Sequence, residues 1–205
     1  MERTQINEKA VRALTLSDIE RILQIQQEQN ILTKDPDIAR KEGFLVNLMG
    51  KEEIERFLNN GNKFLRVYDN GSGAEGYIAA YTKSCWLEQS GEQLGQYVTG
   101  EHQFILKDNY VYLRHIAKKK GVSGRVTIAI ESSFYRELSE KGYHYVIGEI
   151  ATQTPLGISN EVSMRFHRGL GFKKIGERRD NKGYTWAIMC KKLKGGGKNE
   201  RNDMF

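Results

Sequence analysis

Residues 110–150 read YVYLRHIAKKKGVSGR (Tyr110–Arg125), VTIAIESSFYRELSE (Val126–Glu140) and KGYHYVIGEI (Lys141–Ile150). The first block opens with an apolar run rich in aromatic and β-branched residues. It predicts a strand over Tyr110–Ala117. The second block places Val126, Ala129, Ile130, Phe134 and Leu138 on the stripe of an amphipathic helix, which Gly142 ends. The third returns to a strand pattern over Tyr143–Ile150. A strand–helix–strand unit of this length predicts parallel strands joined in the right-handed sense.

Between strand and helix lies Lys118-Lys-Lys-Gly-Val-Ser-Gly-Arg125. Gly121 and Gly124 let the backbone come close to a ligand. The first turn of the helix adds unpaired N–H groups and the positive end of the helix dipole. Such a turn suits a phosphate or pyrophosphate, and Lys118, Lys119, Lys120 and Arg125 add charge that a phosphorylated ligand would use. The same residues also make a plain solvated basic turn, so this signal needs a second one beside it.

Working outward, Val11–Leu14 reads as a short strand, and Ser17-Asp-Ile-Glu20 has capping-box spacing before a helix that runs to about Asn30. Residues 31–50 show no clear pattern. Glu52–Asn60 predicts a helix. Phe64–Tyr68 and Gly76–Thr82 predict strands joined by a hairpin at Asn70-Gly71. Residues 83–105 read as a long polar insertion. Beyond Ile150, residues 151–159 form a loop, Asn160–Arg168 a short capped helix, and Phe172–Glu177 and Tyr184–Lys191 two strands. The order predicts a mixed α/β (or α+β) sheet covered by helices. Residues 1–193 form one expected domain, and 194–205 a flexible tail.

Composition agrees with one domain. The chain has 205 residues, 39% apolar and 28% charged, against roughly 100–200 residues per domain. Two prolines and 21 aperiodic glycines exclude collagen-like and Pro-rich classes, and ten tyrosines with eight phenylalanines argue against disorder. No apolar run reaches the ~18 residues of a membrane helix. The first residues lack the apolar core of a secretory signal, and Cys85 and Cys190 alone make no disulfide framework, so two free thiols in a cytoplasmic protein are expected. The Walker A, dinucleotide-binding, zinc-protease, CxxC and GxSxG patterns are absent, and the four histidines show no metal-ligand spacing. The net charge of +6, from 32 Lys and Arg against 26 Asp and Glu, points to a polyanionic partner or to nothing specific.

The second signal is Asn160-Glu-Val-Ser-Met-Arg-Phe-His-Arg-Gly-Leu-Gly-Phe172. Asn160 and Ser163 lie one turn apart, and Phe166 and His167 follow. Together the two segments resemble the GNAT superfamily of acetyl-CoA-dependent acyltransferases. Lys118-Lys-Lys-Gly121-Val-Ser123 lies at the coenzyme motif Q/R-x-x-G-x-G/A, with lysine at the first position, Ser123 at the last, and a shortened spacer after the strand. Asn160, Ser163, Phe166, His167, Gly171 and Phe172 fit the later motif N-x-x-A/S-x-x-F-Y/H-x-x-x-G-F. The resemblance covers roughly residues 10–192. It implies a twisted mixed sheet of about six to seven strands flanked by helices, in which two parallel strands splay apart.

The resemblance further implies acetyl transfer from acetyl-CoA to a primary amine of a small molecule or peptide, with no metal. Backbone groups of His115, Ile116 and Ala117 would meet the pantetheine arm. Lys118, Gly121, Val122, Ser123, Gly124 and Arg125 would hold the phosphates. Asn160, Ser163 and Phe166 would flank the pantetheine. His167, where many members carry a tyrosine, is the candidate acid, and His115 and Glu149 are candidate bases. An orienting or exposed His167 and structural roles for His115 and Glu149 fit the same residues. Acceptor choice is expected in the variable segments 31–50, 83–106 and 151–159, with Trp86, Tyr97, Phe104 and Tyr112 as candidate lining. Dimers are frequent in the family. Two other readings stand: a coenzyme-binding protein without turnover, and a nucleic-acid binder through Lys118–Lys120, Arg178-Arg179 and Lys191-Lys192. Against the latter, no known nucleic-acid motif is present and no aromatics interleave with the basic clusters.

Overall fold

The structure, a computed structural model, describes residues 8–58, 60–90 and 94–194. Its elements are Val11–Ala13 (β1), Ile19–Gln29 (α1), Pro36–Glu42 (α2), Lys51–Glu55 (α3), Lys63–Asp69 (β2), Ala74–Thr82 (β3), Lys83–Ser90 (α4), Gln103–Lys107 (α5), Tyr110–Lys118 (β4), Arg125–Glu140 (α6), Tyr145–Gln153 (β5), Glu161–Gly169 (α7), Lys173–Arg179 (β6) and Thr185–Lys192 (β7). The strands form one seven-stranded sheet in the order β1-β2-β3-β4-β5-β7-β6. Only β4 and β5 pair in parallel, as the unit 110–150 requires; the other neighbours are antiparallel.

Both faces of the sheet are covered. Val126, Ile130, Phe134 and Leu138 turn α6 onto Ile78, Val111 and Val146 on one face, with Met164 of α7 beside them. Ile22 and Ile25 of α1, Ile54 of α3 and Ile105 of α5 cover Leu65, Tyr77, Tyr112 and Ile147 on the other. Burying each of these large side chains contributes about 1.5–3 kcal/mol. A third cluster, with Ile31, Ala39, Phe44, Ala151 and Trp186, closes the end where β5 and β7 meet α2.

Four expectations are corrected. The polar stretch 83–105 is not a plain loop: it holds α4 and part of α5. Its residues KSCWLEQS carry no apolar stripe, and only Cys85 of α4 is buried. Tertiary packing supplies what the pattern lacks, because Trp86 stacks on Tyr112 with ring centroids 3.6 Å apart. The patternless stretch 31–50 contains α2, started by Asp35, whose carboxylate accepts from the amides of Asp37 and Ile38, with Pro36 at the first helical position. The capping pair before α1 sits earlier than Ser17/Glu20: Asp18 accepts from the amide and hydroxyl of Thr15, at 2.8 and 2.7 Å. The helix expected over Glu52–Asn60 is shortened to Lys51–Glu55. Residues 56–58 form a turn that sends Phe57 into the core.

Cys85 and Cys190 are free and buried, as expected. Among the described residues no helix is long and apolar enough to cross a membrane. The expected flexible tail falls almost wholly on residues 195–205, outside the described residues.

Candidate active site

β4 and β5 are paired only from Tyr110 opposite Tyr145 to Leu113 opposite Gly148. Further along, β4 keeps its ladder with β3 and β5 keeps its ladder with β7. The two central strands therefore part, and the edges that face each other carry backbone groups without ladder partners. Gly148 sits at the apex. A Cβ there would lie 3.2 Å from the Leu113 Cβ, so glycine lets the strands close up to this point. A cleft of about 430 Å³ opens beyond it.

One end of the cleft is the start of α6. Lys118, Gly124, Thr127 and Ile128 line it. Gly124 is the N-cap of α6 and has no side chain with which to cap it. Its amide, like those of Gly121 and Ser123, has no partner among the described residues. Gly121, Val122, Ser123 and Arg125, expected at the phosphates, do not line the cleft. The turn folds back on α1 instead. The Lys120 amide donates to Glu28 Oε2 at 2.8 Å, and the Lys119 amide donates to the Glu75 carbonyl at 2.8 Å. Ser123 is used to cap the helix, its Oγ accepting from the Arg125 amide at 3.3 Å. The cleft wall thus begins at Gly124. Thr127 and Ile128 were missed because a one-dimensional pattern does not show which side of a helix start faces a cleft.

His115, Ile116 and Ala117 line the cleft, as do Glu149, Asn160, Ser163, Phe166 and His167. The tertiary structure thus gathers ten of the expected residues, counting Lys118 and Gly124. Several are engaged with the protein itself. Asn160 Oδ1 accepts from the Ser163 amide at 3.3 Å, capping α7, and its Nδ2 donates to the Phe44 carbonyl at 2.9 Å. Asn160 is therefore a strut between α7 and the loop after α2.

Glu149 is gripped by Arg178: Nε donates to Oε1 at 2.7 Å and Nη2 to Oε2 at 2.8 Å, with both residues half-buried. A bidentate guanidinium occupies both carboxylate oxygens. The sequence showed neither this partner nor its geometry, because 29 residues separate the two. His115 is buried, lies 3.3 Å from the Tyr77 hydroxyl through Nδ1, and bonds the backbone of Asn47. Burial, helped by the Arg114 charge, holds its pKa well below the usual histidine value, so the ring is neutral.

His167 is buried too, which removes the exposed alternative. Its Nδ1 lies 2.8 Å from the Ser163 carbonyl and 3.3 Å from the Ser163 hydroxyl. A carbonyl can only accept, so Nδ1 carries the ring proton and Nε2 a lone pair. Phe172 and Phe166 pack edge-on against the ring. Burial lowers the His167 pKa, with the Ser163 bond opposing.

The other end of the cleft is aromatic. Of the four aromatic residues expected there, Trp86 and Tyr112 line it, while Tyr97 and Phe104 do not. Trp186 and Phe44 join them, from segments the sequence reading assigned to a strand and to a patternless stretch. Among the described residues no group of three His, Cys, Asp or Glu could hold a metal ion.

A parallel pair that splays beside a helix start with glycine as its N-cap, inside this strand order, defines the fold class. The chain has the fold of the GNAT N-acetyltransferases. It is similar to the ribosomal-protein-S18-alanine N-acetyltransferase from Escherichia coli, with a TM-score of 0.60 at 13% identity over 95% of this chain and 98% of that one. It is similar as well to the phosphinothricin acetyltransferase from Sinorhizobium meliloti in complex with acetyl-CoA (TM-score 0.59, 16% identity, 93% of this chain and 91% of that one). Arabidopsis thaliana NAA60 in complex with acetyl-CoA matches with a TM-score of 0.58 at 14% identity, over 90% of this chain and 98% of that one. No protein-family model matches the chain, and no curated protein matches it in sequence.

Proposed function

We propose that the chain is an N-acetyltransferase that moves an acetyl group from acetyl-CoA directly to a primary amine of a small molecule or peptide. The observation that carries this reading is the cleft between β4 and β5, which ends at the start of α6, where the N-cap is a glycine without a side chain. The N–H groups and dipole of that helix suit the pyrophosphate, and Lys118 adds charge at the same end. The free strand edges at His115–Ala117 suit the pantetheine amides, and the N–H of Ile116 or Ala117 is the candidate oxyanion donor. Ser163 and Phe166 flank the arm. No metal is invoked.

Acyl transfer needs a neutral amine and a proton for the leaving thiolate. We assign His167, which lines the cleft, to the second task. Glu149, held by Arg178, and His115, bonded to Tyr77 and Asn47, are poorly placed to take the amine proton directly, which favours a base acting through water. The same two bonds are what favours the second reading, a coenzyme-binding protein without turnover. The nucleic-acid reading loses support: Arg178 is committed to Glu149, and Lys191 donates to the Leu170 carbonyl. A cytoplasmic protein and a homodimer remain consistent proposals.

Calorimetric titration with acetyl-CoA should give binding at micromolar concentration, and thiol release should follow with some member of a primary-amine panel. No binding at high micromolar acetyl-CoA sinks both coenzyme readings; binding without release over a broad panel selects the silent one.

A further inference from the structure

Glu131 lies in the middle of α6, on the face that turns Ile130, Phe134 and Leu138 to the core, and is 1% exposed. Its Oε1 accepts the Tyr135 hydroxyl at 2.7 Å. Its Oε2 is buried without a partner among the described residues. A half-satisfied buried carboxyl is costly, and an apolar residue of the same size would pack there more cheaply. Three titratable groups face it. Tyr135 does so from its own helix. Lys191 does so from β7, its ammonium donating to the Leu170 carbonyl and lying 5.5 Å from the Tyr135 ring centre. His167 faces it from α7, with Nε2 at 3.8 Å from Oε1. Burial pushes the Glu131 carboxyl up to about 8, opposed by the Tyr135 bond and the Lys191 charge, so near neutral pH it carries a proton. Burial lowers Lys191, with the Glu131 charge opposing.

Resting on the acetyl-transfer reading above, we propose that Glu131, His167 and Ser163 form a relay that protonates the departing coenzyme thiolate. The lone pair of His167 Nε2 faces the carboxyl, and the Nδ1 proton is within reach of Ser163 Oγ, which lines the cleft. As the amine nitrogen bonds to the acetyl carbon and the C–S bond breaks, the sulfur takes the pair of electrons. Ser163 Oγ gives its proton to that sulfur and receives the Nδ1 proton. Nε2 receives the proton of Glu131. The products are the free thiol, a Glu131 carboxylate and a neutral ring that donates to it from Nε2. The proton lost by the amine restores Glu131 through solvent. The 3.8 Å gap shortens to a hydrogen bond for this transfer, and the unpartnered Oε2 leaves the carboxyl free to turn. Glu131 acts through His167 and is a positioning residue, not a catalytic one.

The test follows thiol release from acetyl-CoA across pH with the best amine of the panel. In the wild type kcat should fall above about pH 8 as Glu131 ionises. Glu131→Gln should lower kcat about 10²-fold, remove that alkaline limb and leave KM for acetyl-CoA unchanged. Ser163→Ala should also lower kcat, and the double variant should be no slower than the worse single one. Glu131→Met, which fills the site without polar atoms, serves if Glu131→Gln does not fold. Wild-type kcat and an unchanged pH profile in either folded variant overturn the relay. Nitrogen-15 spectra of the His167 ring supply a readout free of turnover: a step near pH 8 that disappears in Glu131→Gln supports the pairing, and its absence from the wild type overturns it. Failure of the wild type to release thiol with any amine overturns the acetyl-transfer reading itself, a result separate from failure of the variants.

Discussion

A protonated carboxyl in the middle of α6 leaves a mark on stability as well as on rate. Glu131 ordinarily titrates near 4.5 and is pushed up to about 8 by burial. Between those values the folded chain binds a proton that the unfolded chain has lost. Stability from this group is therefore fully present below about pH 4.5 and declines as pH rises toward 8, by about 1.4 kcal/mol per pH unit as an upper bound. Thermal unfolding of Glu131→Gln should show a flatter dependence over that range than the wild type. A difference in Tm between the two that stays constant with pH contradicts the burial argument. The carboxylate of Glu149 stands in contrast, since Arg178 satisfies it from both nitrogens of the fork. Two glutamates of one chain are thus put to opposite uses by their partners.

Among the elements, α6 carries the coenzyme reading. Its N-cap is a glycine with φ −59°, an ordinary helical value, and a Cβ there meets nothing within 4 Å. Aspartate adopts this helical backbone without strain, and its negative charge suits a helix start. Gly124→Asp should therefore keep or raise Tm while placing a carboxylate where the phosphates are proposed to sit. Calorimetry should read a loss of acetyl-CoA affinity of tenfold or more, about 1.4 kcal/mol. Unchanged affinity in the folded variant excludes the start of α6 as the phosphate site. The same substitution at Gly121 is a poorer test, because φ +80° there strains any other residue.

At the scale of the whole molecule, the segment from α4 to α5 reaches across to the far edge of the sheet. Val98 bridges Gly176 of β6, the Thr99 amide donates to the Ile175 carbonyl at 3.0 Å, and the Glu177 amide donates to the Tyr97 carbonyl at 3.1 Å. A Cβ on Gly176 would collide with the Tyr97 carbonyl oxygen. This arm carries Trp86 into the aromatic end of the cleft. Gly176→Val should lift the arm, cost about 1–3 kcal/mol as overpacking does, and raise KM for the amine while acetyl-CoA affinity stays as it was. Parallel loss of both affinities, measured on folded protein, would place the arm outside acceptor recognition.

The central strand–helix–strand unit, the parallel pairing, both late strands and the helix after Asn160 were legible in order, because apolar periodicity and glycine stops are local properties of a chain. So were ten of the residues expected at the coenzyme or the chemistry that line the cleft: five lie in the two motifs, and five on the adjoining strands and helix start. The helical character of 83–105 was not legible, because its support is Tyr112 and β6, remote in sequence. The clamp of Arg178 on Glu149, the strut from Asn160 to Phe44 and the approach of Glu131 to His167 were likewise hidden. Each joins residues that only the closed sheet brings within hydrogen-bond or ion-pair range, and each changes what a side chain can do. Periodicity and motif determined where the cleft lies; tertiary contact decided which of its titratable groups holds a proton, because protonation depends on burial and on partners that no local pattern encodes.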